Sequence, residues 1–132
     1  MNPNFQAEDI SVYDVDECLV IGFADKKRLL STGDYLMLQR AHEFDERDRR
    51  LGMADVYLER NSQAWSGYGH IELFELLPDR VRLRFNERGT QAMAGVKEME
   101  VSFNLSPERF KTLREGLGRC FAGFNYYRDR TF

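Results

Sequence analysis

The sequence predicts an α+β fold: an antiparallel sheet of six or seven strands with one C-terminal amphipathic helix packed on it. Three observations carry this. Between Ile10 and Leu105, apolar residues recur mostly at every second position, with β-branched and aromatic side chains between short polar breaks. Ser106-Pro107-Glu108 then opens a segment whose apolar residues recur at steps of three and four. Across 132 residues, 42% are hydrophobic and 31% charged, with ten Phe, six Tyr and one Trp. That balance suits one globular domain over residues 1–132, which buries roughly two-thirds of its unfolded surface without a metal or disulfide staple.

In chain order the strands fall at residues 10–15, 18–23, 35–42, 54–60, 70–77, 81–86 and 97–104. The last three are the clearest. Val81, Leu83 and Phe85 alternate with Arg80, Arg82 and Arg84, as Met99, Val101 and Phe103 do with Glu98, Glu100 and Ser102. One face is dry and the other wet. The mixed-sign run 43–50 reads as a solvated hairpin tip that discourages edge pairing. Pro78-Asp79 reads as a tight turn, and a two-residue loop there places Glu75 opposite Arg82 and Phe74 opposite Leu83. Residues 87–94 suit a short helix between the last two strands.

For the long helix, Ser106 is a good N-cap, Pro107 suits the first position, and Glu108 favours the N-terminal dipole. Phe110, Leu113, Leu117, Cys120, Phe121 and Phe124 form its apolar stripe. Gly116, Gly118 and Gly123 each weaken a helix interior by about 1 kcal/mol relative to alanine, a cost that close approach to the sheet would offset.

The net charge of −3 is unevenly spread. Residues 1–25 hold six acids (Glu8, Asp9, Asp14, Asp16, Glu17, Asp25) and no base, so the remainder carries a net +3. Basic residues are mostly arginine, suited to ion pairs and interfaces. Weak acidity argues for a basic protein partner and against general nucleic-acid binding. With no apolar leader at residues 1–8, a cytoplasmic protein with Cys18 and Cys120 as reduced thiols is expected. The longest uncharged apolar run, 18–24, is too short to span a bilayer, so no membrane partner is expected.

A search for chemistry yields little. His42 and His70 are isolated and outside any metal-ligand spacing, and read as surface or interface imidazoles. Cys18 and Cys120 sit in apolar patterns that favour inert thiols. Ser66 in Trp65-Ser66-Gly67 lacks the preceding glycine of a nucleophile elbow, and Gly67-Tyr68-Gly69 lacks the third glycine and helix of a phosphate loop. No catalytic residue, metal or cofactor is expected. The Arg80, Arg82, Arg84 row has two readings. It is a solvated face neutralised by neighbours such as Glu75, or the phosphate-binding face of a small ligand- or nucleic-acid-binding regulatory module. The lack of interleaved aromatics favours the first.

Residues 60–70 form a polar, glycine-bearing stretch, read as a loop, with the single tryptophan. Trp65 and Tyr68, flanked by Gln63 and His70, make either an interface anchor or a structural loop tucked onto the core. Residue types leave these even.

Here the sequence resembles a known family. Ala54-Asp55-Val56-Tyr57-Leu58-Glu59-Arg60, then Gln63 and Ser66-Gly67-Tyr68-Gly69, is similar to the signature of the immunity protein 10 family. So are Ile71-Glu72-Leu73-Phe74-Glu75-Leu76, the Asp79-Arg80 turn, Val81-Arg82-Leu83-Arg84, and the strand Met99-Glu100-Val101-Ser102-Phe103 leading into the helix at 110–121. The resemblance covers about residues 54–121. It implies a bacterial protein encoded beside a secreted polymorphic toxin, which it binds and neutralises without catalysis. On that reading Gln63, Trp65, Tyr68 and His70 contact the toxin domain, and Asp14 and Asp16 steer it if it is basic.

Overall fold

The structure, a computed structural model, describes residues 3–25 and 33–131. Among them the elements run β1 (Phe5–Gln6), β2 (Asp9–Val15), β3 (Cys18–Ala24), β4 (Tyr35–Ala41), α1 (Glu46–Arg50), β5 (Tyr57–Arg60), β6 (Ser62–Tyr68) and β7 (Ile71–Leu77). They continue with β8 (Arg80–Phe85), α2 (Glu87–Ala92), β9 (Glu98–Ser102), α3 (Pro107–Cys120) and β10 (Tyr127–Asp129). The α+β class and the C-terminal helix stand. The strands, however, divide between two five-stranded sheets.

One sheet is a meander in chain order, β2-β3-β4-β5-β6, with every pair antiparallel. The other has the order β1-β9-β8-β7-β10. Its middle strands are antiparallel, and β1 and β10 add parallel edges. The turn at Pro78-Asp79 gives the expected register, Glu75 opposite Arg82 and Phe74 opposite Leu83.

Alternation decides what each sheet buries. Leu19, Ile21 and Phe23 of β3 face inward with Leu36, Leu38 and Leu58, and join Phe74, Leu76, Val81, Leu83, Met99 and Val101 of the other sheet in one cluster. Leu113, Leu117, Cys120 and Phe121 complete it from α3. Cys18, one residue out of phase with Leu19, lies on the opposite face of the meander from Cys120, and both thiols are free. Burial pushes the Cys120 thiol up to about 12, so it stays protonated and inert.

The helix begins where the sequence indicated. Ser106 Oγ accepts the Arg109 N–H at 3.3 Å, with proline in the first turn. A Cβ on Gly116 would stand 2.7 Å from Val12 Cγ1, so glycine permits the close approach to β2. At the far end Arg40 Nη1 donates to the carbonyls of Arg119, Cys120 and Ala122 at 3.2, 3.0 and 2.6 Å, a cation at the negative end of the helix dipole. Its guanidinium lies 4.9 Å from the Phe44 ring and 5.3 Å from the Phe124 ring.

Two expectations are corrected. The run 43–50 is no bare hairpin tip: it contains α1, nucleated by a capping box in which Asp45 Oδ1 accepts the Asp48 N–H and Asp48 Oδ2 accepts the Asp45 N–H. Residues 62–68 are no loop: they form β6, an edge of the meander, reached through a one-residue turn at Asn61 (φ 62°) and a bulge beside Glu59 and Arg60. Asn61 anchors that turn by accepting the Tyr35 N–H at 2.8 Å and donating to Asp34 Oδ1 at 2.8 Å. Among the described residues no helix is long and apolar enough to cross a membrane.

Candidate protein-docking surface

The two sheets present very different outer faces. On the β7–β9 sheet, Arg80 pairs with Asp79 and Glu100, Arg82 with Glu75, and Arg84 with Glu72, at 2.6–3.2 Å. Glu75, only 8% exposed, also receives Arg130 at 3.1 Å. Burial pulls its carboxyl upward, but Arg130 and Arg82 outweigh this and hold it below the ordinary carboxylate value. The arginine row is neutralised within the sheet. A phosphate binding this row would have to compete with carboxylates already in place.

The meander's outer face is built from the residues out of phase with its core. The register sets Tyr13, Val20, Gln39, Tyr57 and Tyr68 in one row across all five strands, with Ser11, Gly22, Met37, Glu59 and Ser66 in the next. The Tyr57 and Tyr68 rings lie 5.2 Å apart. Desolvation raises both phenols above their ordinary value. Glu59, 9% exposed, accepts the Tyr57 hydroxyl at 2.7 Å on Oε1 and the Tyr35 hydroxyl on Oε2. No arginine or lysine pairs with it among the described residues. A carboxylate thus sits near the middle of a tyrosine-lined face, oriented by two phenols.

One end of this face is apolar and carries charges of both signs, with acids in excess over Arg47, Arg49 and Arg50 of α1. Among the described residues the exposed large hydrophobic side chains are Tyr13, Val15, Leu51 and Met53, from β2 and from the connection after α1. Beside them the β2–β3 turn, carried by Asp16 (φ 50°) and Glu17 (φ 63°), faces Glu43, Asp45 and Asp48 across an open cleft of about 470 Å³.

The residues expected to bind a toxin are distributed as follows. Tyr68 is on the meander's outer face, and Asp16 lines the acidic cleft. Gln63 is exposed on β6, where its carbonyl accepts the Ser66 hydroxyl at 2.7 Å. Trp65 is half-buried against the core, and its ring covers the Arg60 guanidinium at 4.7 Å. His70, expected as a surface or interface imidazole, is 8% exposed, and Nδ1 meets no hydrogen-bond partner among the described residues. Its ring presses on Gly67, where a Cβ would fall 2.0 Å from Nε2. Asp14, its side chain 46% exposed, pairs within the protein: Oδ1 lies 2.8 Å from Arg119 Nη2 and 2.7 Å from His42 Nε2. Arg119 first, and His42 after it, hold its carboxyl low. Sequence reasoning missed Glu59, although the alternation Tyr57-Leu58-Glu59 places Glu59 beside Tyr57 on the outer face once Leu58 is assigned to the core.

The fold is an α+β domain, and this face of it is lined by tyrosines around a carboxylate. The family model described as Immunity protein 10 matches residues 6–111, and the chain belongs to that family. The match reaches back through β2–β4, beyond the resemblance over 54–121, and ends at Lys111 within α3. No curated protein and no solved structure matches the chain.

Proposed function

We propose that this protein is the immunity partner of a secreted bacterial toxin of a polymorphic toxin system, acting in the cytoplasm of the producing cell or its siblings. It binds the toxin domain and neutralises it by occlusion, without catalysis. Family membership supports the class of activity. The single structural observation that carries the reading is the meander's outer face, where exposed Tyr13 and Val15, paired Tyr57 and Tyr68, and the acidic β2–β3 turn form an amphipathic surface. Aromatic side chains give large contact area at little entropic cost, and surplus acid speeds encounter with a basic partner. Of the contacts expected from sequence, the reading keeps Tyr68 on the meander's outer face, Gln63 exposed on β6 and Asp16 in the acidic turn as the toxin contacts. Trp65 and His70 support β6 from within, and Asp14 ties β2 to α3.

The test is co-expression with the toxin domain encoded in the neighbouring reading frame. Growth in its presence, together with a stable complex on gel filtration, is the expected outcome. Death of the cells despite soluble immunity protein would refute the reading.

A further inference from the structure

Resting on that reading, we infer that the toxin docks through a basic surface and that one of its arginine side chains seats on Glu59, between the tyrosines of the meander's outer face. A carboxylate 9% exposed is costly to desolvate unless its oxygens are well partnered. Here two phenol hydroxyls occupy one lone-pair site on each oxygen, leaving further acceptor capacity and no cation in place among the described residues. The phenols fix the carboxylate's orientation before any partner arrives, so little is lost to ordering when a guanidinium docks. Beside it the Tyr57 and Tyr68 rings stand 5.2 Å apart and offer π faces, a setting that favours arginine over lysine because a planar guanidinium both stacks and hydrogen-bonds. The sign of the partner follows from charge. Asp16, Glu17, Glu43, Asp45 and Asp48 gather at one end of this face, next to exposed Tyr13 and Val15; with Glu46 they outnumber the exposed Arg47, Arg49 and Arg50 of α1 and leave a surplus of acid there. The opposite sheet, with its arginines already paired, offers no comparable field.

The experiment is calorimetric titration of the full-length protein with a catalytically inactive form of the neighbouring toxin domain, at two salt concentrations. Tight wild-type binding that weakens with salt is expected. Glu59→Gln keeps the shape and one acceptor oxygen but removes the charge, and is expected to raise Kd about 100-fold or more, the range for a desolvated charge pair. Arg82→Gln on the other sheet is expected to change Kd less than about threefold. Wild-type-like affinity in a folded Glu59→Gln protein would overturn the inference while leaving the immunity reading intact. No binding by the wild type would instead overturn the immunity reading, and this inference with it. Should Glu59→Gln fail to unfold cooperatively, the exposed pair Tyr13→Arg with Val15→Arg decides the matter. It is expected to abolish binding by presenting like charge to the partner, and unchanged binding would refute the docking face.

Discussion

Arg60 is 2% exposed, and Trp65 roofs it at 4.7 Å. Desolvation pulls the guanidinium below its ordinary value, with Asp34 opposing. The ring therefore shields a buried cation, and removing it would let water reach Arg60 while stripping apolar cover from the core. Trp65→Ala is expected to lower stability by about 2–3 kcal/mol, measured by urea unfolding, the lower part of the range for large aromatics because the ring is only half-buried. A variant as stable as wild type would return Trp65 to the list of free anchors. His70 makes a second residue-scale prediction. Burial first, then Arg88, hold its imidazole below the ordinary 6.5, with the Ser66 backbone and Asp55 partly opposing. Between the folded and unfolded values the unfolded chain binds more protons, so stability is complete above about pH 6.5 and falls as the pH drops below it. Melting temperatures are expected to decline from pH 7 to pH 5, before the carboxylates titrate, and His70→Gln is expected to flatten that slope. Residue types leave Trp65 even between anchor and core and give His70 as a surface or interface imidazole, for a physical reason. Trp65 and His70 lie in a polar, glycine-bearing string, and only the pairing of β6 with β5 turns Trp65 inward and closes Gly67 over the imidazole.

At the scale of elements, α3 was legible because its signals are local: a serine cap, a proline and a stripe of apolar residues. Phe121, 2% exposed, packs 4.8 Å from Phe74 and stacks on Tyr127 at 5.1 Å. Phe121→Ala is expected to cost about 3–5 kcal/mol by chemical denaturation, and an unchanged midpoint would contradict this docking. The helix glycines separate cleanly. Gly118 faces open space, so Gly118→Ala is expected to stabilise the protein by about 1 kcal/mol. Gly116→Ala drives a methyl within 2.7 Å of the branched, stiff Val12 and is expected to destabilise it despite the same gain in helix propensity. Thermal melts of the two variants should move in opposite directions. The hairpin β7–β8 was equally readable, since a two-residue turn fixes its register. The edge strands were not. β1 has two residues and β10 three, too few for any period to register, and both exist because a parallel neighbour supplies their hydrogen bonds.

Over the whole molecule, period-two alternation shows that each strand has a dry face but not which sheet receives it, so one long sheet and two shorter ones read alike until side chains pack. The division places Glu72, Glu75 and Glu100 against the arginines of one sheet and leaves Glu59 among tyrosines on the other. The parallel edge formed by β1 bears on something else, the time the protein needs to become itself. Phe5 pairs with Val101, so that edge cannot close until almost the whole intervening chain has been made and brought back. Such distant pairings slow folding, because loop-closure entropy is lost before the contact repays it. A newly made chain would thus pass through an interval with β9 uncovered and open to strand addition by another molecule. On the proposed function, protection would then depend on a standing pool of finished protein, since freshly made chains complete this edge late.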